Sequence, residues 1–332
     1  MPYYAFAADL GGTKCSAAAI DQKGRIVAHK VVPVDLSSPS GPVLQIRQLA
    51  KALAGPKRPK EMFAAAAVAV PGLARPSGTV WAPNLPGWEQ MPLASRLKKS
   101  LGIPVIVESD RNAAVLGECW RGAARGRSDA IVLIIGTGIG AGILSGGRVI
   151  RGAHELSGCA GWLVVCGNES RKAKQVGELE SLTAGPAIAR MAQQRIKNGE
   201  KSVLSELTTF TAYDVAAAAR RADPVAISVF REIGGLLGRG VANLVSLLDP
   251  EIVVIGGGMA GASDLYLEDL KRSMMERAQP IAVKQVKVAV SSLGDKVNLL
   301  GCARLAWEAA GGPRLKSFDF SDRLEWGLRE RA

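Results

Sequence analysis

Short apolar runs alternate with glycine-rich turns through the first third of the chain. The runs at residues 3–9, 15–20 and 25–34 are separated by tight turns, a spacing that predicts three strands joined as a meander. Apolar residues recur at helical spacing over residues 41–54, and the alanine-rich run at 64–70 predicts a buried strand. After a loop rich in proline and glycine, the pattern predicts a helix at 93–101, a strand at 104–108 and a helix at 110–121.

The opening pattern recurs from residue 130 onward. A predicted strand at 130–135 runs into the glycine turn 136–140, and strands are predicted at 141–145 and 148–152. Because both halves begin with a strand, a glycine turn and a strand, we expect a duplicated αβ domain. The pattern is mostly helical from about 176 to 248, and it ends with predicted strands at 250–255 and 288–294 and a helix at 299–310.

Composition is typical of a soluble globular protein. The chain has 332 residues, which suggests two domains, and 48% of them are apolar and 22% charged. The net charge of +12 suits either attraction to polyanions or plain solubility, and the lack of a long basic tract favours solubility. The sequence has five widely spaced cysteines, no signal sequence and no apolar run long enough to span a membrane. We therefore expect a reduced, cytoplasmic location and no membrane partner. Because no long basic tract is present, we also expect no nucleic-acid partner.

Three glycine turns, each directly after a predicted buried strand, suggest phosphate binding. Glycine lets the backbone approach a phosphate closely, so that N–H groups donate to its oxygens; the alternative for any one turn is a plain hairpin. Asp9 precedes the first turn and is placed to hold a water of a phosphate-bridging Mg²⁺. The turn residues are Gly11, Gly12, Thr13 and Lys14, then Gly136, Thr137, Gly138 and Gly140, and finally Gly256, Gly257 and Gly258.

The turns lie in stretches that resemble the ROK family (repressor, open reading frame, kinase) of the actin-like ATPase and sugar-kinase superfamily. The resemblance covers about residues 5–310 in the family's order. It implies an α/β fold of two ribonuclease-H-like domains with mixed sheets flanked by helices, around an interdomain cleft. The matching stretches are ADLGGTK at 8–14, VAVPGLARPSGTVWAPNLPGW at 68–88, ESDRNAAVLGE at 108–118, GTGIGAGI at 136–143, GELESLTAGPAI at 177–188 and ANLVSLLDPEIVVIGGG at 242–258.

The resemblance also implies a domain division and an activity. It suggests an N-terminal domain at 1–118, a C-terminal domain at 119–298, a last helix at about 299–311 that can pack back on the first domain, and a charged tail at 313–332. The implied activity is transfer of the ATP γ-phosphate, with Mg²⁺, to a hydroxyl of a hexose or related polyol. The implied assembly is a homodimer.

Three polar residues match family positions for catalysis and sugar binding. Asp110 matches the general base that takes the proton of the sugar hydroxyl, and its alternative is a helix N-cap. Asn84 and Glu180 match residues that hydrogen-bond the sugar, with a turn residue and a solvated helix face as their alternatives.

Other acceptor-site positions depart from the family pattern. Ser109 stands where asparagine is common, Cys159 where a sugar-binding glutamate is usual, and Trp162 where a histidine is usual that serves many members as a zinc ligand. We therefore expect no zinc site, and either an acceptor other than glucose or weak binding of glucose. Trp162 is expected either to stack on the sugar or to lie in the core, while His154 and Glu155 are candidates for substitute polar groups.

Two alternatives stay open beside an ATP-dependent kinase. One is a non-catalytic sugar-binding regulator or degenerate kinase, expected to lack the DNA-binding domain of family repressors because the first glycine turn begins near residue 10. The other is an enzyme that uses polyphosphate as donor, which the basic balance suits. The sequence leaves the acceptor open among glucose, N-acetylated hexosamines, fructose and less common polyols.

Overall fold

A computed structural model describes residues 4–167 and 169–312, so the predicted tail lies outside the described residues. The strands are β1 (Tyr4–Leu10), β2 (Lys14–Ile20), β3 (Ile26–Pro33), β4 (Phe63–Val70), β5 (Leu73–Ala74), β6 (Val80–Trp81), β7 (Val105–Ser109), β8 (Ala130–Ile135), β9 (Ile139–Ser145), β10 (Arg148–Val149), β11 (Ile252–Gly256) and β12 (Lys287–Val290). The helices are α1 (Gly41–Ala54), α2 (Pro59–Met62), α3 (Leu93–Leu101), α4 (Asp110–Arg121), α5 (Arg171–Val176), α6 (Glu178–Thr183), α7 (Gly185–Lys197), α8 (Ala212–Arg220), α9 (Pro224–Leu248), α10 (Leu267–Arg277), α11 (Ala282–Gln285) and α12 (Val297–Ala309).

The chain divides into two compact units. The first comprises the described residues of 1–129, 142–157 and 295–332, and the second comprises 130–141 and the described residues of 158–294. Residues 142–157 group with the first unit because β9 packs against α4 there: a Cβ on Gly142 would lie only 2.1 Å from the carbonyl oxygen of Arg111.

The first unit is built on a five-stranded sheet in the order β3-β2-β1-β4-β7. The central strands β1, β2 and β4 are apolar on both faces and almost wholly buried, whereas the edge strand β3 has a largely exposed face. The pairs β1–β4 and β4–β7 are parallel. The carboxyl ends of these three strands therefore meet at one edge of the sheet, and this edge carries Asp9 and Asp110.

Helices α4 and α12 pack closely in the same unit through two glycines. A Cβ on Gly117 would lie 2.2 Å from the carbonyl oxygen of Val297, and a Cβ on Gly301 would lie 1.8 Å from that of Ala113. These distances are far below van der Waals contact, so no larger side chain fits unless the helices move apart. The last helix is thereby fixed against the helix that begins with Asp110.

The second sheet has the strand order β10-β9-β8-β11-β12, in which β8, β11 and β12 are parallel. Gly256 pairs with Ile134, so the second and third glycine turns leave the sheet at the same edge. The long helix α9 begins as its sequence favours, with Pro224 in the first turn and the Asp223 carboxylate accepting a hydrogen bond from the Ala226 N–H.

The predicted fold class is confirmed: both sheets are mixed and flanked by helices. Some element bounds were wrong. The strand predicted at 148–152 is only Arg148–Val149, because Gly152 turns the chain with φ +76°, and the strand predicted at 288–294 ends at Val290. None of the described helices is both long and apolar enough to cross a membrane.

Candidate functional site

The first glycine turn joins β1 to β2 and leaves its backbone bare. The Gly11 N–H donates to the Lys14 carbonyl at 2.9 Å, which closes the turn. A Cβ on Gly12 would meet no atom within 4 Å, and the Gly12 φ is not left-handed, so the fold itself does not require glycine there. Gly12, Thr13 and Lys14 are exposed, and the Lys14 ammonium lies 2.5 Å from the Asp295 carboxylate. The turn thus exposes its glycine backbone and the Thr13 side chain to solvent, next to the Lys14–Asp295 ion pair.

Asp9, at the end of β1, has an unusual environment. Burial raises the pKa of its carboxyl to about 6, opposed by a hydrogen bond from the Asn298 amide at 3.2 Å and reinforced by the negative charge of Asp110. The Asn298 Oδ1 atom is buried and has no hydrogen-bond partner among the described residues. A carboxylate beside an unsatisfied amide oxygen is a donor set that suits a hydrated Mg²⁺, which prefers oxygen ligands and keeps several waters.

Asp110 is the first residue of α4 and follows β7 directly. Its Oδ1 accepts the Arg111 N–H at 2.8 Å, which fixes the carboxylate at the first turn of the helix. The N-cap is Ser109, so the alternative that Asp110 is the N-cap was wrong. Burial raises the pKa of the half-buried Asp110, and the amide and charge of Arg111 oppose this shift. A carboxyl group with a raised pKa is a better proton acceptor when it is ionised.

A buried network beside Asp110 was not predicted. The Glu108 carboxylate accepts hydrogen bonds from the Ser109 N–H at 3.0 Å, the Asn112 amide at 2.9 Å and the Arg151 guanidinium at 2.5 Å. Its side chain is only 4% exposed. The one available signal was an acidic residue at the end of an apolar strand, directly before Ser109 and Asp110; nothing local pointed to its partner Arg151.

The segment after β10 is held next to this network. The Arg111 guanidinium donates to the Glu155 carbonyl at 3.1 Å, and Glu155 has a left-handed φ of 59°, which is rare for a glutamate. Glu155 and Arg151 line a cavity of about 430 Å³ whose other polar walls come from Arg75, Ser77 and Glu108. His154, the other candidate for a substitute polar group, is exposed.

The second glycine turn is tied to Glu180. The Gly136 N–H donates to the Gly138 carbonyl at 2.9 Å, and the Ile139 N–H donates to the Glu180 carboxylate at 2.7 Å. Glu180 is therefore not a solvated helix-face residue but a half-buried one held against the turn. A Cβ on Gly136 would meet nothing within 4 Å, so packing among the described residues does not require glycine at this position either.

The remaining turn positions differ in exposure and in whether the fold requires glycine there. Thr137 is exposed, and Gly140 lies inside β9 rather than in the turn. At the third turn, Gly257 has φ +80° and packs against the end of β8, where its Cβ would lie 2.5 Å from the Ile135 carbonyl oxygen. Gly257 is thus a structural requirement, whereas Gly258 is exposed and has no positive φ. Gly256 is the buried last residue of β11.

The acceptor positions are placed unevenly. Asn84 is exposed in the loop between β6 and α3, and Ser109 is buried with an Oγ that has no hydrogen-bond partner among the described residues. Cys159 is half-buried before the 3₁₀ turn Ala160–Trp162. The Trp162 side chain is 56% exposed, so the alternative that it lies in the core was wrong.

The predicted site residues therefore fall into two groups. The structure brings Asp9 and Asp110 together within the first unit, and it brings Glu180 to the 136–140 turn within the second. Over residues 4–167 and 169–312, no three His, Cys, Asp or Glu side chains gather into a metal-binding group.

Comparison with known proteins assigns this architecture to a family, since the model of the ROK family matches residues 5–309. The chain belongs to the ROK family. The predicted resemblance is thereby confirmed. Among curated relatives, this ROK chain is 32% identical over 319 residues to a glucokinase of Streptomyces coelicolor, a match that covers 90% of this chain and 96% of the glucokinase.

Two further relatives of this ROK chain bear on its function. A putative xylose repressor of a Caldicellulosiruptor species is 34% identical over 251 residues, covering 72% of this chain and 61% of the repressor. The crystal structure of a ROK family glucokinase from Streptomyces griseus, in complex with glucose and AMPPNP, is 30% identical with a TM-score of 0.74. That match covers 92% of this chain and 99% of the glucokinase.

Proposed function

We propose that this ROK chain is a sugar kinase that uses ATP as phosphate donor and Asp110 as general base. Glucokinase relatives at about 30% identity over most of the chain support the enzyme class. The observation that carries the role of Asp110 is its half-buried carboxyl with a raised pKa, in charge interaction with Asp9 at the end of the glycine-turn strand.

In phosphoryl transfer the protein mainly positions the reactants and stabilises the charge that develops. The sugar O–H proton moves to the Asp110 carboxylate while the sugar oxygen bonds to the γ-phosphorus and the bond between that phosphorus and the β,γ-bridging oxygen breaks. ADP leaves with the electron pair of the broken bond, and protonated Asp110 returns its proton to water. A carboxyl whose pKa is raised by burial holds this proton more readily than an exposed one.

The glycine turns are assigned to the nucleotide. Gly12 and Gly136 have neither a left-handed φ nor an atom that a Cβ would strike, so a ligand that approaches the backbone is the reason we propose for glycine at both positions. Asp9, through water, and the unsatisfied Asn298 oxygen would hold Mg²⁺. When bound, Mg²⁺ neutralises phosphate charge during the transfer.

For the acceptor we propose a sugar or polyol that Asn84 and Glu180 bind as the family resemblance implies, with Glu155 and Arg151 as further polar groups in the first unit. Glu155 and Arg151 support this because they line one cavity together with the buried Glu108. Glucose stays one candidate among several, since Ser109 and Trp162 also differ from the family pattern. The homodimer and the cytoplasmic location remain predictions.

The decisive experiment is a coupled ADP-release assay over a panel of hexoses, N-acetylhexosamines and polyols, with ATP and Mg²⁺. Asp110→Asn should lower kcat by about 100- to 10,000-fold while sugar and nucleotide binding persist. Asp249→Asn is the matched control, because Asp249 has a left-handed φ of 44° that asparagine adopts readily, and it should retain full activity. Unchanged turnover in Asp110→Asn would refute the role of Asp110.

The relation to a xylose repressor supports one alternative, a sugar-binding regulator without catalysis. The same panel separates the two functions. Sugar binding measured by calorimetry without any ADP release would favour the regulator, whereas turnover with even one sugar would favour the kinase.

A further inference from the structure

Tyr213 is an aromatic residue that the fold exposes on a rigid base. Its side chain is 77% exposed, although it lies in the first turn of α8. That turn is fixed by a capping box, in which the Thr211 N–H and hydroxyl both donate to the Asp214 carboxylate at 2.7 and 2.8 Å. The ring therefore projects from an ordered helix end and not from a loose loop.

The other end of α8 is bound to the segment that follows the third glycine turn. The Arg220 guanidinium donates to both oxygens of Asp264, at 2.9 and 2.7 Å, and to the Gly261 carbonyl at 2.8 Å. These contacts hold α8 against the 3₁₀ segment Gly258–Leu265. The Arg220 contacts thus hold the helix that carries Tyr213 next to the segment that begins with Gly258.

Tyr213 lies beside the third glycine turn, and the residue before it lies near a glycine that is bonded to the second turn. Its hydroxyl lies 3.5 Å from the place where a Cβ on Gly258 would stand. The preceding residue, Ala212, faces Gly185, whose N–H donates to the Gly136 carbonyl at 2.8 Å. The bare backbone of the second and third turns and the exposed ring therefore adjoin in one compact unit.

We propose that Tyr213 is the stacking platform for the purine base of the nucleotide, with the Gly257–Gly258 backbone next to the ribose; this inference rests on the proposed use of ATP. Glycine backbone serves phosphate and ribose but gives a base no surface on which to stack, and an aromatic ring supplies one. Tyr266, on the same segment, does not serve, because it is 1% exposed and its hydroxyl donates to the Met259 carbonyl at 3.0 Å.

The test is calorimetric binding of ATP, ADP and inorganic tripolyphosphate, with Mg²⁺ and without sugar, to the full chain and its variants. Tyr213→Ala should weaken ATP and ADP binding by about 10- to 100-fold, the range expected for loss of one base–aromatic stack. Tyr213→Phe keeps the ring and should bind both nucleotides as the wild type does. The control is Leu247→Ala in the last turn of α9, where an 80% exposed apolar side chain is removed from the same unit.

Tripolyphosphate separates stacking from phosphate binding, since it lacks a base. Its affinity should be equal in the wild type and all three variants. Wild-type ATP affinity in Tyr213→Ala, or a parallel loss of ATP and tripolyphosphate, would overturn the proposal. If the wild type binds ATP no more tightly than tripolyphosphate, the base contributes no affinity and the proposal is overturned. That result would still be compatible with a kinase that uses polyphosphate as donor. A wild type that binds none of the three refutes the proposed function itself.

Discussion

Replacement of Glu108 by glutamine tests whether the buried network beside the candidate base stabilises the first unit. The substitution keeps shape and removes the charge. The glutamine oxygen can still accept from the Ser109 N–H and the Asn112 amide, which now lie 3.0 and 2.9 Å from Glu108 Oε1. The new NH₂ group then stands where Oε2 accepts from Arg151 at 2.5 Å, so two donors face each other.

The cost follows from these contacts. A hydrogen bond to a charged group contributes about 1.5–3 kcal/mol, and a buried donor left without an acceptor costs about 1–3 kcal/mol. The Arg151 side chain is 39% exposed and can turn toward water, which reduces the total. We therefore expect Glu108→Gln to lower the free energy of unfolding by about 2–4 kcal/mol.

Urea unfolding of the purified chain measures this change. Glu89→Gln makes the same chemical change at an exposed position of the first unit and should leave the midpoint where it is. In a double-mutant cycle, Arg151→Gln should cost much less in the Glu108→Gln background than in the wild type. A midpoint shift as small as that of Glu89→Gln, or additive costs in the cycle, would refute the reasoning.

Further predictions concern pH and the glycines. Because the pKa of Asp9 is raised to about 6, the folded chain binds this proton more tightly than the unfolded one, and stability falls as pH rises from about 4 through 6; Asp9→Asn should remove this loss, which is about 2 kcal/mol between pH 4.5 and pH 7.5 in urea unfolding. Asp110 acts ionised, and the Arg111 charge lowers its pKa, so Arg111→Gln should move the acidic limb of kcat/KM to higher pH; a move to lower pH would contradict the assignment. Gly301→Ala would place a Cβ 1.8 Å from the Ala113 carbonyl oxygen and should destabilise the chain by about 1–3 kcal/mol or more in thermal unfolding. Gly12→Ala meets no atom and should unfold like the wild type, yet weaken ATP binding measured by calorimetry; intact ATP affinity would remove the first turn from the nucleotide site.

Local pattern determined the elements and the candidate chemistry. The strands β1, β4 and β8 are recognisable because their residues are apolar on both faces, and the glycines that follow mark the turns. The motifs of the ROK family also lie in continuous stretches, so Asp110, Asn84 and Glu180 could be named from sequence. Each of these features depends only on residues that are close together in the sequence, so the sequence alone is enough to recognise it.

Tertiary structure decided which of these residues meet. Asp9 and Asp110 interact because the order β1-β4-β7 is parallel and brings three carboxyl ends to one edge. Glu108 pairs with Arg151, 43 positions further along the chain. The Tyr213 hydroxyl lies near Gly258 because Arg220 binds α8 to the segment after that glycine. Sheet order, register and helix packing set these pairs, and no local hydrophobic period encodes them, because a period reports the face on which a residue lies and not the partner opposite that face.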